Sequence, residues 1–337
     1  MFNVAVVGAT GAVGATMLSV LEERGFPVSK LQPLASARSA GREVDYLGQP
    51  RTVRELSEDA FGGVDIALFS AGSSRSRAFA PAAVEAGAVV IDNSSAYRMH
   101  PEVPLVVPEV NEAAIAGHSG IIANPNCVAA PLVVALKPIA DAVGLERVVL
   151  SSYQSVSGTG AAAVDELRTQ SAAHLAGGDD EPEPSVYPHP IAFNVLPHID
   201  VFEEDGYTGE ERKVMDETRK MLALPDLAIS ATCVRVPVFY AHSESVHIET
   251  TDPLSADEAR NLLIAAPGVA LVDEPQLNRY PLPREATGRD DVLVGRIRDD
   301  ASHPRGLALW IVSDNLRKGA ATNAVQIAES LVTKGWL

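Results

Sequence analysis

Val4, Ala5, Val6 and Val7 lead straight into Gly8-Ala9-Thr10-Gly11-Ala12-Val13-Gly14, and Met17, Leu18 and Leu21 follow at helical spacing. A short β-branched strand, a glycine turn and an amphipathic helix in that order leave few folds open. Glycines let a backbone approach a pyrophosphate, and a helix N-terminus offers N–H groups and partial positive charge. The spacing is G-x-x-G-x-x-G rather than G-x-G-x-x-G, so the turn by itself also fits a β-α connection without a ligand. Apolar runs at 66–70 and 89–91 alternate with a helix-like stretch at 75–86. That β-α-β rhythm predicts an α/β fold with a Rossmann-type, doubly wound parallel sheet.

A dinucleotide site usually sets an acidic side chain on the adenosine ribose about 20 residues past the glycines. Here residues 31–41 contain no acid, and Arg38 with Ser39 is suited to a 2′-phosphate through charge-assisted hydrogen bonds. The expectation is therefore NADP over NAD; the alternative is that Arg38 is a solvated loop charge. Ser70-Ala71-Gly72-Ser73 and Asp92-Asn93-Ser94-Ser95 fall at strand carboxyl ends, where they either line the cofactor or simply turn the chain.

A chain of 337 residues suggests two domains. Lys and Arg number 27 against 44 Asp and Glu, which disfavours a nucleic-acid or anionic-membrane partner. Two cysteines, Cys127 and Cys233, are too few for a disulfide framework. The N-terminal run has no basic region or cleavage site, and residues 113–136, though uncharged, are broken by Gly117, Gly120, Pro125 and Pro131. A cytoplasmic protein is expected, and no metal.

Asn124-Pro125-Asn126 is turn chemistry, and residues 128–136 have the apolar density of a buried helix ending before Lys137-Pro138. Cys127 would then sit near a helix N-terminus, where the macrodipole favours thiolate. Pro131 fits only a first turn, so the regular helix begins at or just after Cys127. Most lone cysteines are small hydrophobes in a core. Cys233, among strand-like neighbours without a polar activator, is read that way.

Cys127 is read differently because Pro125-Asn126-Cys127 belongs to a series of motifs. With the Gly-Ala-Thr-Gly-Ala-Val-Gly start come Ser94-Ser95-Ala96-Tyr97-Arg98, Val107-Pro108-Glu109-Val110-Asn111 and Ser151-Ser152-Tyr153-Gln154-Ser155-Val156-Ser157-Gly158-Thr159-Gly160. Tyr207-Thr208-Gly209-Glu210-Glu211-Arg212-Lys213, Arg235-Val236-Pro237-Val238 with Ala241-His242-Ser243, Val294-Gly295-Arg296-Ile297-Arg298 and Asp314-Asn315-Leu316-Arg317-Lys318-Gly319 follow. In this order over the whole length, the chain resembles the aspartate-semialdehyde dehydrogenase family.

The resemblance implies reversible, NADPH-dependent reductive dephosphorylation of L-4-aspartyl phosphate to L-aspartate 4-semialdehyde and phosphate, serving lysine, threonine and methionine synthesis. Cys127 would be the nucleophile, passing through a thioacyl intermediate. His242, seven residues after Arg235, would be the general base, and His247 in an alternating strand a structural histidine. Arg235 would bind the α-carboxylate as a forked cation and Glu210 the α-ammonium. Lys213 and Arg98 would hold phosphate, Gln154 would orient the substrate, and Asn126 would add a hydrogen bond to the oxyanion. An exposed charged helix face is the alternative reading of Glu-Glu-Arg-Lys. Cofactor contacts would fall to Gly8, Thr10, Gly11, Ala12, Val13, Arg38, Ser39, Gly72, Ser157, Gly158 and Asn315.

The implied organisation is an NADP-binding Rossmann domain from 1–126 and 315–337, with the C-terminal helix returning to it. Residues 127–314 would form an α+β catalytic and dimerisation domain with a mixed sheet, in a homodimer or, alternatively, a tetramer. Strand-like stretches at 148–155, 228–238, 245–250, 292–297 and 308–313 support such a sheet, with loops at 177–184 and 280–291. Ala321, Ala324, Val325, Ala328, Leu331 and Val332 mark one C-terminal helix. Two alternatives share much of this pattern. An N-acetyl-glutamyl-phosphate reductase-like enzyme would leave Glu210 without a charged amine, and a non-catalytic NADP-binding homologue would have no need of Cys127, His242 and Arg235.

Overall fold

The computed structural model describes residues 1–177 and 182–337, so half of the loop expected at 177–184 lies outside the described residues. The chain divides into two compact units, Met1–Asn126 with Gly319–Leu337, and Cys127–Lys318. The second crossing falls later than the expected 314 and carries Asn315 into the second unit. The reason is local: Asn315 Oδ1 accepts hydrogen bonds from the Ala241 N–H and the Ser155 and Ser157 hydroxyls.

The first unit contains β1 (Phe2–Val7), β2 (Val28–Ala35), β3 (Glu43–Tyr46), β4 (Gln49–Thr52), β5 (Arg54–Glu55), β6 (Ile66–Phe69), β7 (Val89–Asp92) and β8 (Ile121–Ala123). Its helices are α1 (Ala12–Glu23), α2 (Ser73–Glu85) and α3 (Pro108–Asn111). Six strands form one parallel sheet in the order β5-β2-β1-β6-β7-β8, and β3 and β4 pair as a separate hairpin. Strand order reverses beside β1, the place where such sheets open a ligand crevice. Val4 and Val6 pack with Met17, Leu21, Val325 and Leu331 on one face, and Ala5 and Val7 with Phe61, Phe69 and Ala80 on the other. Burial on both faces explains why β1 is uniformly apolar rather than alternating.

The second unit contains α4 (Ala129–Val143), β9 (Leu145–Gln154), α5 (Ala161–Leu175), α6 (Gly209–Leu222), β10 (Ala228–Arg235), β11 (His242–Thr250) and α7 (Ala256–Ile264). After these come β12 (Val269–Leu271), α8 (Pro283–Ala286), β13 (Val292–Asp299) and β14 (Gly306–Ser313); α9 (Thr322–Lys334) belongs to the first unit. The sheet is mixed, in the order β10-β9-β11-β14-β13-β12. Its outer pairs are parallel and its inner ones antiparallel.

Two expectations need correcting. Helix α4 does not stop before Lys137 but runs through Pro138 to Val143. An interior proline costs about 3 kcal/mol, and burial of Leu132, Val133, Leu136 and Ile139, at about 1.5–3 kcal/mol per large apolar side chain, outweighs it. The segment 280–291 is not wholly loop, since Pro283 at a first helical position starts α8.

On β9 and β11, Val148, Leu150, Ser152, Gln154, His242, Glu244, Val246 and Ile248 are buried. The alternate residues Ser151, Ser245, Tyr153 and His247 are half-buried or exposed, giving the sheet an open face. Tyr153 packs on Trp310 there at 5.5 Å, and exposed His247 pairs with Asp300 at 2.9 Å.

Candidate active site

In the first unit the glycine turn does what the motif requires. Gly8 has φ of 89°, and a Cβ there would stand 2.8 Å from the Ser70 carbonyl oxygen. A Cβ on Gly14 would overlap the Gly8 carbonyl oxygen, so the third glycine is what lets α1 approach the turn closely. Gly11 is the N-cap of α1, no side chain caps that end, and no acid lies in its first turn, where Ala12 and Val13 sit. The N-terminal N–H groups thus face an anion site by default.

A cavity of about 220 Å³ opens at this turn, lined among others by Gly8, Thr10, Gly11, Arg38, Ser39 and Arg75. No lining residue is acidic. Arg75, in the first turn of α2, was not singled out by sequence; its signal was its place just after a strand carboxyl end. Gly72, the α2 N-cap, has φ of 88°. Bare glycines, an uncapped helix N-terminus and two cations fit a dinucleotide carrying an extra phosphate.

In the second unit the buried row on the sheet carries the polar chemistry. Arg235 pairs with Gln154 across β10 and β9, and His242 pairs with Ser313 across β11 and β14. Ser243 opposes Tyr153, and one further step in that register sets His242 beside Gln154. Gln154 and His242 are each 1% exposed, Arg235 5% and Glu210 7%. Gln154 Nε2 donates to Ser152 Oγ at 3.2 Å and to Glu210 Oε1 at 3.4 Å.

Arg235 Nη1 donates to the Ser155 carbonyl at 2.7 Å. The Ser155 N–H donates to His242 Nδ1 at 3.0 Å. Arg235 Nε and His242 Nε2 are both buried without a hydrogen-bond partner among the described residues. A Cβ on Gly158 would stand 3.2 Å from both Arg235 Nη1 and His242 Nε2. The bare glycine therefore lets the main chain pass close to the Arg235 guanidinium and the His242 ring. Buried polar groups are nearly always paired, so the unused capacity of Arg235 Nε and His242 Nε2 points to ligand atoms as their partners. Burial, and next the Arg235 charge, hold the His242 imidazole well below its usual range, so it is neutral near pH 7.

The Glu210–Glu211 doublet on α6 splits its work. Glu211 completes a capping box with Thr208 and accepts from the Cys233 N–H at 2.9 Å. Glu210 instead reaches Gln154, with Lys213 Nζ 3.5 Å from its other oxygen. Lys213 also donates to Asp200 at 2.5 Å, a partner that sequence did not suggest, and this bond holds the Asp200 carboxyl below its usual range. Ser157 and Asn315 bond each other, Asn315 Nδ2 donating to Ser157 Oγ at 3.0 Å.

Cys127 is half-buried and directly precedes Val128, the N-cap of α4, with Pro131 in the first turn. Cys233 is fully buried, and burial pushes its thiol well above the usual range. In the first unit Arg98 is 7% exposed and donates to the carbonyls of Asn124 at 2.9 Å and Asn93 at 2.8 Å; Asn126, 5% exposed, ends that segment.

Residues 3–118 match the family model of the semialdehyde dehydrogenase NAD binding domain, and residues 136–318 that of the semialdehyde dehydrogenase dimerisation domain. An aspartate-semialdehyde dehydrogenase of Aquifex aeolicus is 56% identical over 337 residues, covering 99% of each chain. One of Bacillus subtilis is 54% identical, covering 98% of this chain and 97% of the relative. The crystal structure of Vibrio cholerae aspartate semialdehyde dehydrogenase II complexed with ASA superposes with a TM-score of 0.96 at 51% identity, covering 99% of this chain and 98% of that one. The chain belongs to the aspartate-semialdehyde dehydrogenase family.

Proposed function

We propose that the protein catalyses the NADPH-dependent reductive dephosphorylation of L-4-aspartyl phosphate to L-aspartate 4-semialdehyde and phosphate, and its reverse. The observation that carries this is the buried row of Arg235, Gln154 and His242 with Glu210 beside it. A cation stands beside a polar amide there and an anion accepts from that amide, which suits the two charged ends of a free amino acid. An N-acetylated substrate would leave Glu210 facing no charge, so the free amine is favoured over an N-acetylglutamyl one.

Cys127 attacks the acyl phosphate carbon, and phosphate leaves with the C–O bonding pair, giving a thioester. Bound NADPH supplies the hydride that reduces it. Arg235 takes the α-carboxylate, Glu210 the α-ammonium, Lys213 and Arg98 the phosphate, while Gln154 aligns the carbonyl, Asn126 supports its oxygen and His242 is the general base that takes the hydroxyl proton as hydride departs in the reverse direction. Arg38, Ser39 and Arg75 take the 2′-phosphate. Ala12, Val13, Gly72, Ser157, Gly158 and Asn315 complete the cofactor contacts.

The assembly is a homodimer, for which the open sheet face bearing Tyr153 and Trp310 is the available surface; a tetramer is the alternative. The setting is the cytoplasm, and no helix of the described residues is long and apolar enough to cross a membrane. NADP+ reduction with aspartate semialdehyde, run with and without phosphate, tests the proposal. Phosphate-dependent NADPH formation is expected; its absence, or a preference for N-acetylglutamate semialdehyde, overturns it.

A further inference from the structure

Asn323, on α9, has no exposed surface, and its amide begins a row of three asparagines. Its Nδ2 donates to the Val106 carbonyl at 2.9 Å and to Asn124 Oδ1 at 2.7 Å. Asn124 Nδ2 in turn donates to the Ala320 carbonyl at 3.1 Å and to Asn93 Oδ1 at 2.5 Å. Main-chain carbonyls can only accept, so Val106 and Ala320 decide which way round both amides lie. All of these residues belong to the first unit.

Asn93 and Asn124 also hold Arg98, through their main chains. Arg98 Nε donates to the Asn124 carbonyl at 2.9 Å and Nη2 to the Asn93 carbonyl at 2.8 Å. One edge of the guanidinium is thus spanned between two peptides, each the first beyond its strand, since β7 ends at Asp92 and β8 at Ala123. Asp92 opposite Ala123 is the last pair of that ladder. Past it, the bond between the Asn93 and Asn124 side chains sets the spacing of the two carbonyls.

We propose that Asn323 is a positioning residue for Arg98: by locking the Asn124 amide against Asn93, it fixes the two carbonyls that aim the guanidinium at phosphate, which rests on Arg98 taking phosphate in the proposed reaction. Asn323 is buried too deeply to touch a ligand, so its effect passes through Arg98. A guanidinium meets phosphate with paired N–H donors in a rigid plane, and a tilt of that plane costs affinity. An ionised aspartate at 323 would offer only acceptors to Asn124 Oδ1 and the Val106 carbonyl. If the Asn124 amide turned over to answer it, its oxygen would face the Ala320 carbonyl and Asn93 Oδ1. The row has no second arrangement that satisfies both of its ends.

The first arm of the test needs no turnover. In protein labelled with 15N-arginine, with Arg98 Nε assigned by its loss in Arg98→Lys, the Nε–H is expected to exchange with solvent roughly 10-fold faster in Asn323→Asp than in wild type. Ser330→Ala, which removes a 2.7 Å bond from the same helix to Glu112, is expected to leave that exchange as it is. Unchanged exchange in Asn323→Asp, or equal acceleration by Ser330→Ala, overturns the proposal. In NADP+ reduction with aspartate semialdehyde, Asn323→Asp is expected to raise KM for phosphate about 10-fold while kcat changes less than about twofold. In an Arg98→Lys background the same substitution is expected to add nothing further, as for two residues acting through one contact. A full additional rise there, or a fall in kcat at unchanged KM, overturns the proposal. Faster exchange at Arg98 with a phosphate KM that Arg98→Lys leaves alone overturns the phosphate role of Arg98 rather than the lock. Should Asn323→Asp fail to fold, Asn323→Ser, which loses the amide without adding a charge, carries the same expectations.

Discussion

Arg38 and Arg75 stand exposed at the cavity of the first unit, whereas Arg235 in the second is 5% exposed and tied to a main-chain carbonyl. The first unit presents backbone: a glycine turn, an uncapped helix end and surface cations. The second presents side chains, each held by a hydrogen bond within the unit before any substrate arrives. Main-chain recognition depends on shape, so it tolerates change except where a Cβ collides. Preorganised side chains stabilise charge well because no reorganisation is left to do at the moment of reaction, and nearly any change among them is felt.

Four experiments can break or sharpen this contrast. Cys127→Ser should lower kcat by roughly 10^4-fold or more while the NADP Kd stays unchanged, as equilibrium titration would show; a parallel loss of binding would mean the two sets of contacts are not separable. Gly14→Ala should destabilise the protein by about 3 kcal/mol, read as a fall in Tm, because its Cβ overlaps the Gly8 carbonyl oxygen. Arg38→Ala should raise Kd for NADP about 10-fold and leave Kd for NAD alone; equal loss for both would remove the 2′-phosphate from Arg38.

The smallest effect concerns Glu244, behind His242 on β11, where burial holds the carboxyl well above its usual range. The folded chain keeps that proton at pH values where the unfolded chain has released it, so stability falls as pH rises past the unfolded value of about 4.3. Glu244→Gln, which cannot ionise, should therefore be more stable than wild type by about 1 kcal/mol near pH 8. The advantage should vanish near pH 4, as chemical denaturation at the two pH values would show.

What could be read from sequence follows the same division. The core of the first unit was legible because β1, β6 and β7 are continuous apolar runs and the glycines punctuate them. The polar hairpin of β3 and β4 carried no such signal, since β4 is exposed throughout. Pro138 looked like a stop and is not, because a helix so fully buried tolerates the lost hydrogen bond. In the second unit Glu210 and Glu211 are indistinguishable by composition, and only the fold shows one capping α6 while the other faces Gln154. Asp200 left no trace because its contact with Lys213 is made only in three dimensions.

Helix α9 packs Val325, Ala328 and Leu331 into the same cluster as Val4, Met17 and Leu21, and Arg24 meets Glu329 through two hydrogen bonds of 2.8 Å. These partners lie about three hundred positions apart along the chain. On a ribosome, β1 and α1 emerge well before α9 and must wait for it to be made before that layer can close. Loop closure over such a distance is slow, and an apolar sheet face left open meanwhile invites aggregation. The nucleotide-binding unit is thus begun before the second unit and completed after it, and a chain cut short before α9 should be a client of chaperones rather than a smaller enzyme.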